Sequence, residues 1–499
     1  MIQKAIADFR EYLDRKYFFL CSANMFQWDQ ATGSPKGGLE LKGKIIGFLS
    51  GEEFSMSISN TMKNHLDVLG NHLDELDELT LGLYKKCKRD YDALAKIPVS
   101  EYMEYCELQV KSEAAWGTAK ENSDFSIFAP YLEGIITYNK KFIDYRGFKD
   151  HAYNTLLDDY EPGITVSTLD TYFESLKAEI VPLLKKIQQS EKSFKKDFLS
   201  LTVPKEKQEK ISYLLMRKLG YDLNRGMLKE SAHPFTLSFG RTDSRITTNY
   251  DPNNFLSSFY SVIHEVGHAL YEQNKKVEIE STLMDDGIST AIHESQSRFY
   301  ENIIGRSYEF WELIYDELME ILGDDFRGVT INDFYEASNI VEPSLIRVAA
   351  DELTYSLHVL IRYEIEKYIF SNDVDINELP KLWNSKYEQY LGITPTNDSV
   401  GILQDIHWSD GMLGYFPSYS LGSAYASQLL CYMQKDVDVY SSIKRDEICN
   451  ISEWLKDKIH KHGSLYTPSE LVKAINNEEL EAKYYIDYLK NKYEKIYEL

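Results

Sequence analysis

The stretch DPNNFLSSFYSVIHEVGHALYEQ, residues 251–273, decides how this chain is read. Phe255, Phe259, Val262, Ile263, Val266 and Leu270 recur at helical spacing, which predicts an amphipathic helix with one face in a core. Asp251 suits the N-cap and Pro252 the first helical position, while Asn274 and the lysines after it suit the end. Side chains four apart stack on one helix face. His264 and His268 therefore present two imidazoles to one point, with Glu265 one step round the helix. This is the HExxH pattern, in which two histidines hold a metal and the glutamate acts as a base.

Two imidazoles do not complete a catalytic zinc site, which takes three protein ligands and leaves a position for water. The next candidate segment is HESQSR, residues 293–298, on a second expected helix that opens near Ser289 and closes at Gly305. Glu294 lies 26 residues beyond His268, enough for a helix end, a loop and a returning helix. It is assigned as the third ligand. Its neighbour His293 points about 100° away on a helix and takes a supporting role.

At 499 residues the chain can bury a large core, and the 13 prolines are few enough to permit long uninterrupted helices. Its 79 acidic residues against 55 basic ones give a net charge of −24, which argues against a nucleic-acid-binding surface. Five widely spaced cysteines without a CxxC pair, Cys21, Cys87, Cys106, Cys431 and Cys449, read as reduced thiols. Charges interrupt the apolar residues of the first twenty positions, and no stretch approaches 18 apolar residues. The expectation is a cytoplasmic protein with no membrane partner.

Residues 1 to about 230 read as successive amphipathic helices, broken by loops at 28–38 and 159–165 and by the lysine-rich 190–210. Residues 233–250 change to alternation: Phe235, Leu237 and Phe239, a turn at Gly240, then Ile246 to Tyr250. That predicts a short hairpin beside the metal helix, able to pair with an extended substrate. Residues 341–370 read as one long amphipathic stretch, 401–422 as an irregular wall rich in Gly, His, Trp and Tyr, and the remainder as helices. The fold class is mainly α: a large single helical domain with a deep central groove. Its parts are a helical N-terminal region of about 1–230, a catalytic core of about 231–422 and C-terminal helices of about 423–499.

A metal bound here would activate water, and Glu265 is positioned to take that water's proton and pass it to a leaving amine. His407 and Tyr415 are candidates to stabilise the oxyanion. If the substrate is a peptide with a free C-terminus, a planar arginine fork suits its carboxylate, and Arg347 and Arg245 are the candidates.

In order along the chain stand HPF (233–235), DSRIT (243–247), HEVGH (264–268), HESQS (293–297), IRVAAD (346–351) and GILQDIHW (401–408). With these motifs the sequence resembles the carboxypeptidase Taq family of metallocarboxypeptidases. The resemblance implies His264, His268 and Glu294 on the metal and Glu265 as base. It implies substrate or transition-state roles for Arg347, for Asp243 and Arg245 of DSRIT, for His407 of QDIHW and for His233 of HPF. It further implies a homodimer that accepts Zn2+ or Co2+ and removes a broad range of C-terminal residues. The alternative is a helical metallo-oligopeptidase that cuts short peptides internally.

Overall fold

The computed structural model describes residues 2–499. It is mainly helical, with one small sheet. The helix carrying HEVGH runs Phe255–Gln273 with Asn254 as its N-cap, so the expected start at Pro252 is three residues early. Asp251–Asn254 stay outside because their backbone is already engaged. The Pro252 carbonyl accepts from Val203 N, the Asp251 carbonyl from Gln208 Nε2, and the Asp251 carboxylate from Asn253 N. The apolar residues that predicted the helix are all buried along it.

The second helix, Thr290–Arg298, opens as expected at Ser289, whose side chain accepts from Ile292 N. It then widens into a π-helical turn, Phe299–Ile304, before Gly305. Two close approaches hold this helix in place. A Cβ on Gly267 would lie 2.7 Å from the Gln296 carbonyl, and one on Gly422, in the Pro417–Met433 helix, would lie 2.8 Å from Glu294 Cβ. Glycine at these two positions lets three backbones crowd against the metal-ligand candidates.

The expected hairpin forms as β2 (Thr236–Ser238) and β3 (Ser244–Thr248), antiparallel with Thr236 opposite Ile246. A third strand, β1 (Leu228–Glu230), lies parallel on the far side of β3, giving the order β1-β3-β2 and leaving β2 at an edge. The N-terminal run of helices therefore ends before 230, at Leu219, where Gly220 takes a left-handed conformation at φ 85°.

Other boundaries also shift. The first helix continues through Thr32, so Trp28 is helical, and within 190–210 a helix begins at Lys205. The 341–370 stretch is a helix only from Glu352, because Asp351 caps it by accepting from Thr354 N. Ahead of that cap, Pro343 and a single 3-10 turn at Arg347–Ala349 keep the backbone irregular.

The apolar side chains gather into two clusters. The larger surrounds the HEVGH helix and most of the chain from Ile97 onward. The smaller joins Phe9, Leu13, Met62, Leu66 and Leu83 from the first, third and fourth α-helices to Ile279, Leu283 and Met284. The latter three belong to the connection between the two metal-face helices, so the first helices pack against the rim of the site.

Candidate metal centre

His264 and His268 do share a face, as the four-residue spacing requires, and the next helix brings Glu294 up to them. Glu294 Oε2 lies 3.8 Å from His264 Nε2 and 3.5 Å from His268 Nε2, and the three ligand atoms all lie within 4.8 Å of one another. Tetrahedral coordination with bonds near 2.0–2.2 Å spaces ligands about 3.3–3.6 Å apart. The donor set of two imidazole nitrogens and one carboxylate oxygen therefore fits a divalent metal.

The outer atoms of each ligand are held so that the inner ones converge. His264 Nδ1 bonds Glu301 Oε2 at 2.9 Å. His268 Nδ1 bonds His293 Nδ1 at 2.6 Å, and His293 Nε2 bonds Glu272 Oε1 at 2.9 Å. Each carboxylate can only accept, so each chain runs one way: His293 keeps its proton on Nε2, His268 keeps its own on Nδ1, and both metal-facing Nε2 atoms are left with free lone pairs. Arg298 Nε donates to the other oxygen of Glu294 at 2.8 Å, and its Nη1 to Glu301 at 3.2 Å.

The electrostatics agree with a site for positive charge. Burial works against charge on His264, yet Glu294 and Glu301 outweigh it and push the imidazole above its ordinary value. Burial lowers His268 to about 3. Burial also acts to raise Glu294, but Arg298 and His264 hold its carboxyl well below the usual range. Glu265, pushed up by burial, sits 5% exposed, and Thr236 Oγ1 on the edge strand donates to its Oε2 at 2.6 Å.

These groups open onto a cleft of about 650 Å³. Its walls carry Thr236 of the edge strand with Pro234 and Phe235 just before it, Tyr160 and Pro162, residues 286–290, Tyr415 and Tyr419, and two cations, Lys86 and Arg89. Of the remaining residues singled out in the sequence, Tyr415 alone lines this cleft. Burial pushes its hydroxyl up to about 12, so it stays a donor at neutral pH.

The others lie elsewhere. Arg347 is 4% exposed and spends its fork internally, with Nη2 2.9 Å from Asp405 Oδ1 and Nη1 donating to Tyr355 at 3.0 Å. Arg245 grips Asp243 with two bonds, at 2.7 and 2.6 Å, and stacks on Phe239. His407 stands one layer behind the wall, 3.1 Å from the Tyr419 hydroxyl, and burial lowers it to about 4. His233 is exposed, while the two residues after it line the cleft. In the structure, Arg347, Arg245 and Asp243 thus bond to internal partners, His407 bonds to a tyrosine of the cleft wall, and His233 faces solvent; a role toward substrate for these residues belongs with the proposed function.

Residues 8–493 match the family described as carboxypeptidase Taq (M32) metallopeptidase. The chain belongs to that family. It is 45% identical over 491 residues to carboxypeptidase 1 of Bacillus subtilis, covering 98% of each chain. It is 37% identical to thermostable carboxypeptidase 1 of Pyrococcus furiosus, over 93% of this chain and 94% of that one. The M32 carboxypeptidase of Deinococcus radiodurans superposes with a TM-score of 0.96 at 29% identity, over 99% of this chain and all of the other. The protein is accordingly a metallocarboxypeptidase acting on peptides, and the internal-cutting alternative is not favoured. Among the described residues no helix is long and apolar enough to cross a membrane.

Sequence reasoning missed the supports: Glu301, Glu272 and the full role of His293. A signal was present, since Glu272 lies four residues after His268, and Glu301 lies seven after Glu294, two turns along the same face. It gave no warning of Lys86 and Arg89, which sit in an unremarkable charged helix.

Proposed function

We propose that His264, His268 and Glu294 hold zinc, with cobalt able to replace it, and that Glu265 is the general base of a broad-specificity carboxypeptidase. The observation carrying this reading is the convergence of three ligand atoms at one open point beside Glu265, each fixed from behind by a dedicated partner. The metal, when bound, supplies Lewis-acid polarisation and a lowered pKa for water.

The chain's own groups do the rest. Glu265 takes a proton from the attacking water and delivers it to the leaving amine, and burial raises its proton affinity toward what that exchange needs. Thr236 holds the carboxylate in place through its hydroxyl. Tyr415, kept protonated, donates to the oxyanion. The edge strand β2 offers backbone groups along which an extended peptide can lie. The free thiols suit a reducing cytoplasm, and the homodimer implied by the family resemblance belongs to the same reading.

One peptide, prepared as free acid and as C-terminal amide and followed by mass spectrometry with metal-loaded and metal-stripped protein, tests the reading. Stepwise loss from the free acid alone, with metal alone, is the expected result. Internal cuts in both peptides, or loss from the stripped protein, would contradict it.

A further inference from the structure

A second cavity, of about 520 Å³, shares no residue with the catalytic cleft. It lies between the last helix, Ala482–Tyr497, and the turn that follows the metal-ligand helix, Phe299–Ile304, with Arg306 just beyond it. Its walls are aromatic. Tyr308, Tyr335 and Tyr440 come from three different helices, and Tyr484 and Tyr488 from the last one. Burial pushes the Tyr335 hydroxyl up to about 12 and raises that of Tyr440 as well, so both stay donors at neutral pH.

The cavity holds charge of both signs. Arg306 and Lys492 line it with side chains only 17% and 11% exposed. Arg306 spends Nε on the side-chain oxygen of Asn302 and Nη1 on the Ser338 carbonyl, both neutral, and its sole carboxylate among the described residues, Glu301, stands at 3.3 Å. Lys492 Nζ has Glu352 at 2.6 Å, yet burial, with Arg306 nearby, holds its ammonium below the ordinary value. Two buried cations near each other favour an anion between them. Lys495, exposed on the same helix, adds a third cation. Glu309 and Asp487 supply the opposite sign, and neither enters an ion pair among the described residues.

We propose that this cavity binds a free amino acid with an aromatic side chain, its carboxylate on Arg306 and Lys492, its ammonium on Glu309 or Asp487 and its ring among the tyrosines. A free amino acid is what the cleft releases under the carboxypeptidase reading, and the choice of ligand rests on that reading. Arg306 joins the two places. Its Nη2 touches Glu301 Oε1, and Glu301 Oε2 holds His264 Nδ1. A ligand carboxylate that draws on Arg306 leaves more of the Glu301 charge to His264, which makes His264 Nε2 a stronger donor to a metal. Occupation of the cavity therefore tightens the metal site.

Cys431 reports on the cavity directly, since it lines it as a partly exposed free thiol, while Cys449 is exposed outside it. In the test, metal-stripped protein is alkylated with iodoacetamide, with and without L-phenylalanine, and each cysteine is followed by peptide mass spectrometry. Phenylalanine near saturation is expected to slow Cys431 about 10-fold and to leave Cys449 unchanged. Tyr440→Leu should weaken the protection, and 2-phenylethylamine and 3-phenylpropionate, each lacking one charge, should protect less. With phenylalanine present, chelator competition should show the metal held about 5-fold or more tighter, an effect that Arg306→Lys should abolish. Cys431 alkylated equally fast at saturating phenylalanine overturns the site, and equal protection by either single-charge analogue overturns the zwitterion. Protection of Cys431 with metal affinity unchanged overturns the link through Arg306. The thiol readout needs neither metal nor turnover, so these outcomes are distinct from a failure of the carboxypeptidase reading, which internal cuts in the peptide test would reveal.

Discussion

Two buried clusters of charge flank the cleft, and they are built in opposite ways. At the metal centre, Glu301, His293, Glu272 and Arg298 occupy the outer atoms of the ligands and leave three inner atoms aimed at one point. At the second cluster, Asp405 is gripped by Arg347 at 2.9 Å and by Arg362 at 2.6 Å, and Gln404 accepts from Arg347 N while donating to the Leu345 carbonyl. Burial acts to raise Asp405, yet Arg362 and Arg347 hold its carboxyl well below the usual range. Residue type and burial are alike in the two places. Whether polar atoms converge on open space or on each other separates a reacting site from a strut.

The contrast can be broken from either side. Substituting His264, His268 or Glu294 by Ala removes one of three ligands, and both bound metal and peptide hydrolysis are expected to be lost while the fold persists, as read by metal analysis and circular dichroism. Asp405→Asn should do the reverse. It leaves Arg347 and Arg362 buried without their counter-ion, and a loss of about 3–5 kcal/mol in denaturant unfolding is expected, with the metal still bound by the folded fraction. If Asp405→Asn instead costs nothing and alters KM alone, the strut description fails.

Subtler changes sharpen the comparison. Glu301→Gln keeps a bond to His264 but removes the charge behind it, so metal affinity measured by chelator competition should fall about 10- to 100-fold. On the strut side, Glu366 braces the 401–416 loop by accepting from Trp408 Nε1 and Gly414 N, and burial raises it to about 7. The folded state therefore keeps a proton that the unfolded chain releases near pH 4.5. Stability from this group is complete below that pH and falls as pH rises to about 7. Glu366→Gln should make the decline in stability between pH 5 and 7 shallower by on the order of 1 kcal/mol, readable from melting curves; an unchanged slope would leave the decline to Glu161, which burial also raises to about 7.

The metal side of this comparison was written in the sequence and the strut side was not. His264 and His268 are related by a local period, and Glu294 follows a cap at Ser289 that one side chain makes with its own helix. Such signals survive folding because they need no distant partner. The failures all involve one. Asp251 and Pro252 look like a helix start, but Gln208 and Val203 capture their carbonyls first. Leu228–Glu230 becomes a strand only because β3 arrives alongside. The pairing of Arg347 with Asp405, 58 residues later, likewise has no local signal, and Arg89 reaches the cleft through the packing of a second core. The mainly helical class and the small sheet beside the metal helix followed from periodicity; which cations face the cleft did not.

The central claim is that the open, convergent set is a metal site with Glu265 as its base. The most direct measurement is turnover of a free-acid peptide by Glu265→Gln together with its metal content. Metal bound as in the wild type with kcat reduced about 10²- to 10⁴-fold is the expected result. Turnover within a few-fold of the wild type, with metal bound, would contradict it.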